Sequence, residues 1–190
     1  MRTLGLMVFS SICLFNNCEE NGRQSCVESC KEGEQERLGE HCYYWSTKRV
    51  HWPPQVEYWD YAKLECESMN GSLAAVTSMK IHNFLTKDDR NTRYWIGGSD
   101  REKEGTWKWE DGSEWDFTNW ASRPIRQPSG GDNHDCLQIY DKTATNGWND
   151  GSCNKHNPFI CSWTICPGHI CRSRVVREIF IIYSNAYLRS

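Results

Sequence analysis

Eleven cysteines in 190 residues constrain this chain more than any other feature of its sequence. This density is typical either of a disulfide framework in an oxidising compartment or of metal sites. The spacing argues against zinc, because no C-x2-C pair occurs and the six histidines are scattered singly. The nearest approach to a cluster is formed by Cys161, Cys166, His169 and Cys171. We therefore expect disulfides, and a protein that is secreted and extracellular.

The N-terminus supports secretion independently of the cysteines. Arg2 precedes an apolar stretch over residues 4–15, which has the composition of a signal peptide and is too short to span a bilayer. No clean A-x-A cleavage site follows it. We expect residues 1–17 to be the signal peptide, residues 18–29 a short polar extension, and residues 30–163 one compact domain.

The order of the local patterns predicts an α+β domain, with helices early and antiparallel strands late. A first helix should end at Asn70-Gly71, and a second should cover Lys80–Thr86. In the first helix, the side chains that we place toward one side are Tyr58, Ala62, Leu64, Cys66 and Met69. The later strands are expected at Tyr94–Ile96, Thr106–Trp109, Cys136–Tyr140, around Trp148 and at Phe159–Trp163.

Glycines set the expected ends of two of these strands. Gly97-Gly98 should end the strand that begins at Tyr94, and Asp111-Gly112 is a typical hairpin turn after the strand of Trp107 and Trp109. Trp148 itself is expected to be a packed core or rim residue.

Seven separated motifs occur along the chain in a fixed order. They are Tyr61-Ala62 with Cys66, Gly71–Val76, Trp95–Gly98, Trp107–Trp109 with Asp111-Gly112, Phe117 with Asn119-Trp120, Trp148–Asp150 with Cys153, and Phe159–Cys161. With these motifs, residues 30–163 resemble the C-type lectin-like domain family. The resemblance implies a double-looped α+β domain with two helices, small antiparallel sheets and a long irregular loop region. It also implies the disulfides Cys30–Cys42, Cys66–Cys161 and Cys136–Cys153.

The resemblance further implies a candidate carbohydrate and calcium loop. Sugar-binding members hold one Ca²⁺ with a Glu-Pro-Asn or Gln-Pro-Asp triplet, a Glu two positions before the loop cysteine, and an Asn-Asp pair after a Trp. The corresponding positions here are Gln127-Pro128-Ser129, His134 and Asn149-Asp150. Glutamine at the first position favours galactose-type over mannose-type binding, and the resemblance suggests a cis peptide before Pro128.

Two of the expected calcium ligands are replaced, by the hydroxyl of Ser129 and the imidazole of His134. Only Asp150 brings a full negative charge, and imidazole is a poor ligand for a hard cation. We therefore expect calcium at Gln127, Asn149 and Asp150 to be weakly bound or absent. A shifted loop register would offer replacement oxygens from Asp132, Asn133 and Asp135.

These observations favour a secreted carbohydrate-binding lectin with a glycan as its partner. A protein-binding or antagonist module on the same scaffold is the alternative that the replaced ligands favour. An ice-binding protein is a third hypothesis, since some fish antifreeze proteins resemble this family. Neither G-x-S-x-G nor H-E-x-x-H occurs, so we expect no enzyme activity and no catalytic residues. The net charge of -3 gives no basic field for nucleic acid, and no other stretch has the length of a membrane span.

The two ends of the chain leave alternatives open. Residues 164–190 form a tail that is either an interaction segment or a disordered extension. The sequence does not decide how Cys18, Cys26, Cys166 and Cys171 pair, within the chain or between chains of a homo-oligomer. Asn70-Gly71-Ser72 is an N-glycosylation sequon that also fits a helix-ending turn.

Overall fold

The computed structural model describes residues 13–14, 17–20, 23–27, 29–48, 57–87, 92–122, 124–140 and 147–166. Most of the predicted signal peptide and almost all of the predicted tail, including Cys171, lie outside these residues. No helix within the described ranges is long and apolar enough to cross a membrane.

Two α-helices and two β-sheets make up the described part of the chain. The helices are α1 (Trp59–Ser68) and α2 (Met79–Leu85). The strands are β1 (Cys13–Leu14), β2 (Asn17–Glu20), β3 (Arg23–Val27), β4 (Glu36–Leu38), β5 (His41–Trp45), β6 (Ser72–Leu73), β7 (Arg93–Ser99), β8 (Lys108–Trp109), β9 (Cys136–Tyr140), β10 (Trp148–Gly151) and β11 (Ile160–Ile165). Short 3-10 turns lie at Ser46–Lys48 and Gly131–Asn133. The α+β class predicted from the sequence is thus confirmed.

The first sheet has the strand order β1-β2-β3-β11-β5-β4, and β6 also pairs with β11. In it, β11 pairs antiparallel with β5 and parallel with β3. The second sheet has the order β10-β9-β7-β8 and is antiparallel throughout. The register of this second sheet decides which loop residues meet, because the predicted binding loop runs directly into β9.

Aromatic side chains fill the core between the second sheet and the loop region. Trp148 is fully buried, and its ring centroid lies 5.5 Å from that of Trp109 and 5.8 Å from that of Trp120. Trp115 and Phe117 also pack against it, each at 5.6 Å. Edge-to-face packing at such distances is a favourable arrangement of aromatic rings. Trp148 is therefore a core residue, as the sequence predicted.

The first helix presents a different face to the core from the one predicted. Its buried residues are Trp59, Ala62 and Cys66, which have the i, i+3, i+7 spacing of one helical face. Tyr58 and Leu64 are exposed instead, so their placement on the same side as Ala62 and Cys66 was wrong. The reason is that Tyr58 precedes the helix, and the large Trp59 ring takes the inward position. The indole N–H of Trp59 donates to the carbonyl of Ile96 at 3.0 Å.

Two glycine predictions also need correction. Gly97 and Gly98 lie inside β7 and do not end it. A Cβ on Gly97 would come within 2.6 Å of the Leu73 carbonyl oxygen, and one on Gly98 within 2.5 Å of the Leu137 side chain. These glycines allow close packing rather than ending the strand. Asp111-Gly112 does form a turn, with Gly112 at φ +77°, but the strand that pairs with β8 is the preceding β7. The predicted hairpin at this turn was therefore wrong.

The predicted helix ends are close to those in the structure. The second helix begins at Met79, one residue before the predicted start, because the Ser78 hydroxyl accepts a hydrogen bond from the amide of Ile81. The first helix ends at Ser68, and Asn70 follows in the left-handed region with φ 58°. The amide of Gly71 then donates to the Cys66 carbonyl at 2.9 Å.

Four disulfides join distant parts of the described chain. Cys30–Cys42, Cys66–Cys161 and Cys136–Cys153 are the pairs that the family resemblance implies. The fourth, Cys26–Cys166, was one of the pairings that the sequence left open. It ties β3 to the residue that follows β11, and therefore fastens the N-terminal extension to the first sheet.

Candidate functional site

The predicted binding loop runs over residues 127–135, from Gln127 to the residue before β9. Its Gln127–Pro128 peptide is cis, as the resemblance suggested. Strand β10 lies beside β9 and supplies the other half of the site, since Asn149 pairs with Gln138 and Asp150 with Leu137. The sheet therefore brings together residues that are more than twenty positions apart in the sequence.

Asp150 holds this loop in place through its carboxylate. Oδ2 of Asp150 accepts hydrogen bonds from the amides of Ser129 at 2.8 Å and Gly130 at 2.5 Å. Asp150 is 3% exposed, and its Oδ1 has no hydrogen-bond partner among the residues that the structure describes. A buried carboxylate with backbone N–H donors forms charge-assisted bonds, which are stronger than neutral ones. Asp150 is thus placed to order the loop.

The two amide side chains of the site make polar contacts within it. The Ser129 hydroxyl lies 3.1 Å from Oε1 of Gln127 and donates to it. Nδ2 of Asn149 donates to Oε1 of the buried Gln138 at 3.3 Å and to the carbonyl of Asp150. The structure thus brings Gln127, Ser129, Asn149 and Asp150 into one hydrogen-bonded group.

His134 lies next to this group, on the same loop. Its ring packs against Gly130, where an added Cβ would come within 1.9 Å of Nδ1. Its amide donates to the Gly131 carbonyl at 2.8 Å, which closes the 3-10 turn. Glycine is required at position 130 because the imidazole occupies the space that any larger side chain needs.

A second cluster of oxygens lies at the adjacent ends of β7 and β9. Ser99 and Cys136 are paired residues in the second sheet. Asp100 comes directly after Ser99 and Asp135 directly before Cys136, so the two residues meet at the ends of these neighbouring strands. The amide of Asp100 donates to the Asp135 carbonyl at 3.3 Å. Carboxylate oxygens of Asp100, Glu104 and Asp135 all lie within 4.8 Å of one another.

Asp100 is the buried member of this acidic cluster. It is 3% exposed; its Oδ2 accepts a hydrogen bond from the Gly105 amide at 2.9 Å, whereas its Oδ1 has no hydrogen-bond partner within the described ranges. Burial raises the pKa of Asp100 against the lowering effect of the Gly105 hydrogen bond, and the charges of Asp135 and Asp150 raise it further. The protein thus gathers negative charge where a cation is the natural counter-ion.

The acidic cluster fits calcium. Calcium takes carboxylate oxygens at about 2.3–2.6 Å, so two ligands of one ion lie at most about 5 Å apart. The three carboxylates meet this condition, and the buried Oδ1 of Asp100 needs a partner. The sequence had named Asp135 only as a possible replacement ligand and had not identified Asp100 or Glu104. Two acidic residues four positions apart, directly after a strand, were the signal that could have indicated them.

Comparison with known proteins identifies the domain. The family profile described as the lectin C-type domain matches residues 55–163, which is more than half of the chain. The chain belongs to the C-type lectin domain family. Of its curated relatives, lectin BRA-3 of Megabalanus rosa is 34% identical over 131 residues, which cover 67% of this chain and 75% of that lectin.

Other C-type lectins show similar agreement. The hepatic lectin of Gallus gallus is 34% identical over 148 residues; these cover 74% of this chain and 64% of that protein. Among solved structures, the carbohydrate-recognition domain of the mouse scavenger receptor C-type lectin is 30% identical with a TM-score of 0.60. That match covers 72% of this chain and 98% of the domain. The C-type lectin fold predicted from the seven motifs is therefore confirmed.

Proposed function

We propose that the chain is a secreted lectin that binds a glycan at the site formed by Gln127 and Ser129 of the loop and by Asn149 and Asp150 of β10. The observation that carries this proposal is the pair of backbone hydrogen bonds to Asp150 Oδ2, which orders the loop from inside the protein. Membership of the C-type lectin family supports carbohydrate as the ligand class. Gln127 at the first position of the triplet favours galactose-type sugars.

Calcium, in this proposal, belongs to the acidic cluster of Asp100, Glu104 and Asp135. Bound there, the ion would neutralise carboxylates that otherwise repel one another and satisfy the buried Oδ1 of Asp100. The loop itself is a poorer calcium site, since Ser129 and His134 replace two of the expected ligands. Calcium would therefore stabilise the domain without completing its sugar contacts.

Glycan-array binding, with and without a calcium chelator, tests the proposal. We expect galactose-terminated glycans to bind, and binding to persist in chelator at temperatures where circular dichroism shows a folded domain. Complete loss of binding by the folded, chelated protein would mean that calcium contacts the sugar, against our assignment.

The same glycan-array experiment also tests the two alternative functions, a protein-binding module and an ice-binding protein. Absence of binding to any glycan, in either condition, would favour a protein-binding module or an ice-binding protein. Thermal hysteresis of the purified protein separates these two, because only an ice-binding protein depresses the freezing point below the melting point.

Secretion is tested by expression in eukaryotic cells. Four disulfides support an oxidising compartment, because such bonds do not persist in the reducing cytosol. We expect the protein in the medium, with an N-terminus near residue 18 by sequencing. Retention of the full N-terminus within the cell would contradict this part of the proposal.

A further inference from the structure

A small cleft adjoins the candidate site and shares two of its residues, Gln127 and Asn149. It has a volume of about 140 Å³, which corresponds to roughly four or five water molecules. It is therefore large enough for a single substituent of a sugar but not for an oligosaccharide. The residues that line it are Arg93, Ala121, Pro124, Ile125, Gln127, Tyr140, Gly147 and Asn149.

The walls of this side cleft are built by close backbone contacts. The amide of Ala121 donates to the Trp148 carbonyl at 2.9 Å, and the amide of Gln127 donates back to the Ala121 carbonyl at 2.8 Å. A Cβ on Gly147 would lie 2.7 Å from the nitrogen of Ala121, so only glycine allows this approach. Ala121 and Gln127 are thus held next to each other, and Ile125 remains 62% exposed at the cleft.

Arg93 supplies the charge of the side cleft. It is the residue of β7 that pairs with Tyr140 of β9, and its guanidinium carbon lies 5.3 Å from the centroid of the tyrosine ring. A cation over an aromatic face is held in a preferred orientation. The guanidinium keeps its hydrogen-bond donors for a ligand, because stacking does not use them.

The pairing of other cations makes Arg93 distinctive. In the groove beside α1, three cations each form an ion pair with a carboxylate: Lys63 with Glu110, Arg101 with Asp60 and Lys108 with Glu102. No ion pair of Arg93 is found within the described part of the chain. The guanidinium of Arg93 is exposed in a partly apolar cleft beside the proposed glycan site. It is therefore placed to form charge-assisted hydrogen bonds with an anionic group on the sugar.

We propose that the side cleft recognises an acidic substituent, a carboxylate or a sulfate ester, on a glycan bound at the loop. Arg93 is the specificity-determining residue, since its planar fork matches both anions bidentately. Pro124 and Ile125 provide an apolar wall for the C–H face of the same sugar. This inference rests on the proposed glycan-binding function and adds the class of ligand to it.

Titration calorimetry with three related saccharides tests the inference on the full folded protein. The probes are lactose, sialyllactose and sulfated lactose, which are neutral, carboxylated and sulfated in turn. We expect the wild type to bind at least one acidic probe about tenfold more tightly than lactose, the size of effect that one charge-assisted hydrogen bond produces. The two acidic probes distinguish a carboxylate ligand from a sulfate.

Variants of two arginines separate a local contact from a general charge effect. Arg93→Gln should bind all three probes with the affinity that the wild type has for lactose. Arg93→Lys should keep only part of the preference, because it retains charge but not the fork. Arg126→Gln removes the same charge from an exposed residue that does not line the cleft, and should keep the full preference.

Three results would overturn the inference while leaving the lectin function intact. They are equal wild-type affinity for lactose and both acidic probes, an unchanged preference in Arg93→Gln, or an equal loss of preference in Arg126→Gln. Failure of the wild type to bind any glycan has a different meaning, because it removes the proposed function itself. Melting temperatures of all variants are measured first, so that a loss of binding is read only from folded protein.

Discussion

The amide of Ser129 donates to Oδ2 of Asp150 at 2.8 Å, and this bond joins the loop to strand β10. The two residues lie 21 positions apart in the sequence, so the contact exists only after the second sheet has formed. The carboxylate holds the loop because it accepts hydrogen bonds from two successive backbone amides, those of Ser129 and Gly130. A residue that the family resemblance assigns to calcium thus also holds the loop through hydrogen bonds to its backbone.

Replacement of Asp150 by asparagine should loosen this loop. The substitution removes the charge that strengthens two partly buried hydrogen bonds, and we expect a loss of about 1–3 kcal/mol in the free energy of unfolding. Urea denaturation measures this loss. Hydrogen exchange at the amides of Ser129 and Gly130 should accelerate more than exchange in the first sheet. Equal protection of these amides in Asp150→Asn and wild type would show that the carboxylate does not order the loop.

Calcium should stabilise the domain through Asp100. At a hundredfold excess of calcium over its Kd, binding to the folded state alone contributes about 2.7 kcal/mol, seen as a rise in melting temperature. Asp100→Asn should abolish the rise. Asp116→Asn is the matched control, because Asp116 is exposed and lies outside the acidic cluster. A rise that survives in Asp100→Asn but disappears in Asp150→Asn would place the ion in the loop instead.

The raised pKa of Asp100 predicts a pH dependence of stability in chelator. Between the ordinary value of 3.8 and the raised value, the folded protein binds more protons than the unfolded chain. The contribution of Asp100 to the free energy of unfolding is therefore present at low pH, and it is lost as the pH rises through the raised pKa. Compared with the wild type, Asp100→Asn should become relatively more stable as the pH rises. Thermal melts of both proteins across this range measure the difference, and parallel curves would contradict the prediction.

The disulfide Cys26–Cys166 should make a large contribution to stability. The other bridges shorten the loop that it closes to a few tens of residues, for which the chain-entropy model gives about 3–4 kcal/mol. Replacement of both cysteines by serine should lower the free energy of unfolding by this amount and leave glycan binding in place. Peptide mapping by mass spectrometry checks the pairing itself, and a bond from Cys26 to any other cysteine would show that the assignment is wrong.

The sequence predicted the fold well where local pattern and covalent chemistry coincide. Cys136–Tyr140 has the predicted bounds because all of its residues except Gln138 are apolar or aromatic, and because the bridged Cys136 begins it. The first helix was placed well along the chain but rotated wrongly. Its inward face depends on the hydrogen bond from the Trp59 indole to Ile96, a residue 37 positions away. No local periodicity contains that contact.

The candidate site divides in the same way. The sequence identified Gln127, Asn149 and Asp150, because these residues lie in short motifs of adjacent positions. Asp135 was named only as a replacement ligand, and its contact with Asp100 was not predicted, because that contact comes from the pairing of Ser99 with Cys136 across two strands. Arg93 and Tyr140 meet for the same reason, through the register of β7 with β9.

By itself the sequence determined the scaffold of this lectin domain, since cysteine content, turn residues and aromatic motifs act over short distances or through covalent bonds. Only the tertiary structure decided where charge is gathered. Strand register sets which carboxylates and cations become neighbours, and burial then decides which of them lack a partner. The buried Oδ1 of Asp100 and the stacked guanidinium of Arg93 are both products of that register.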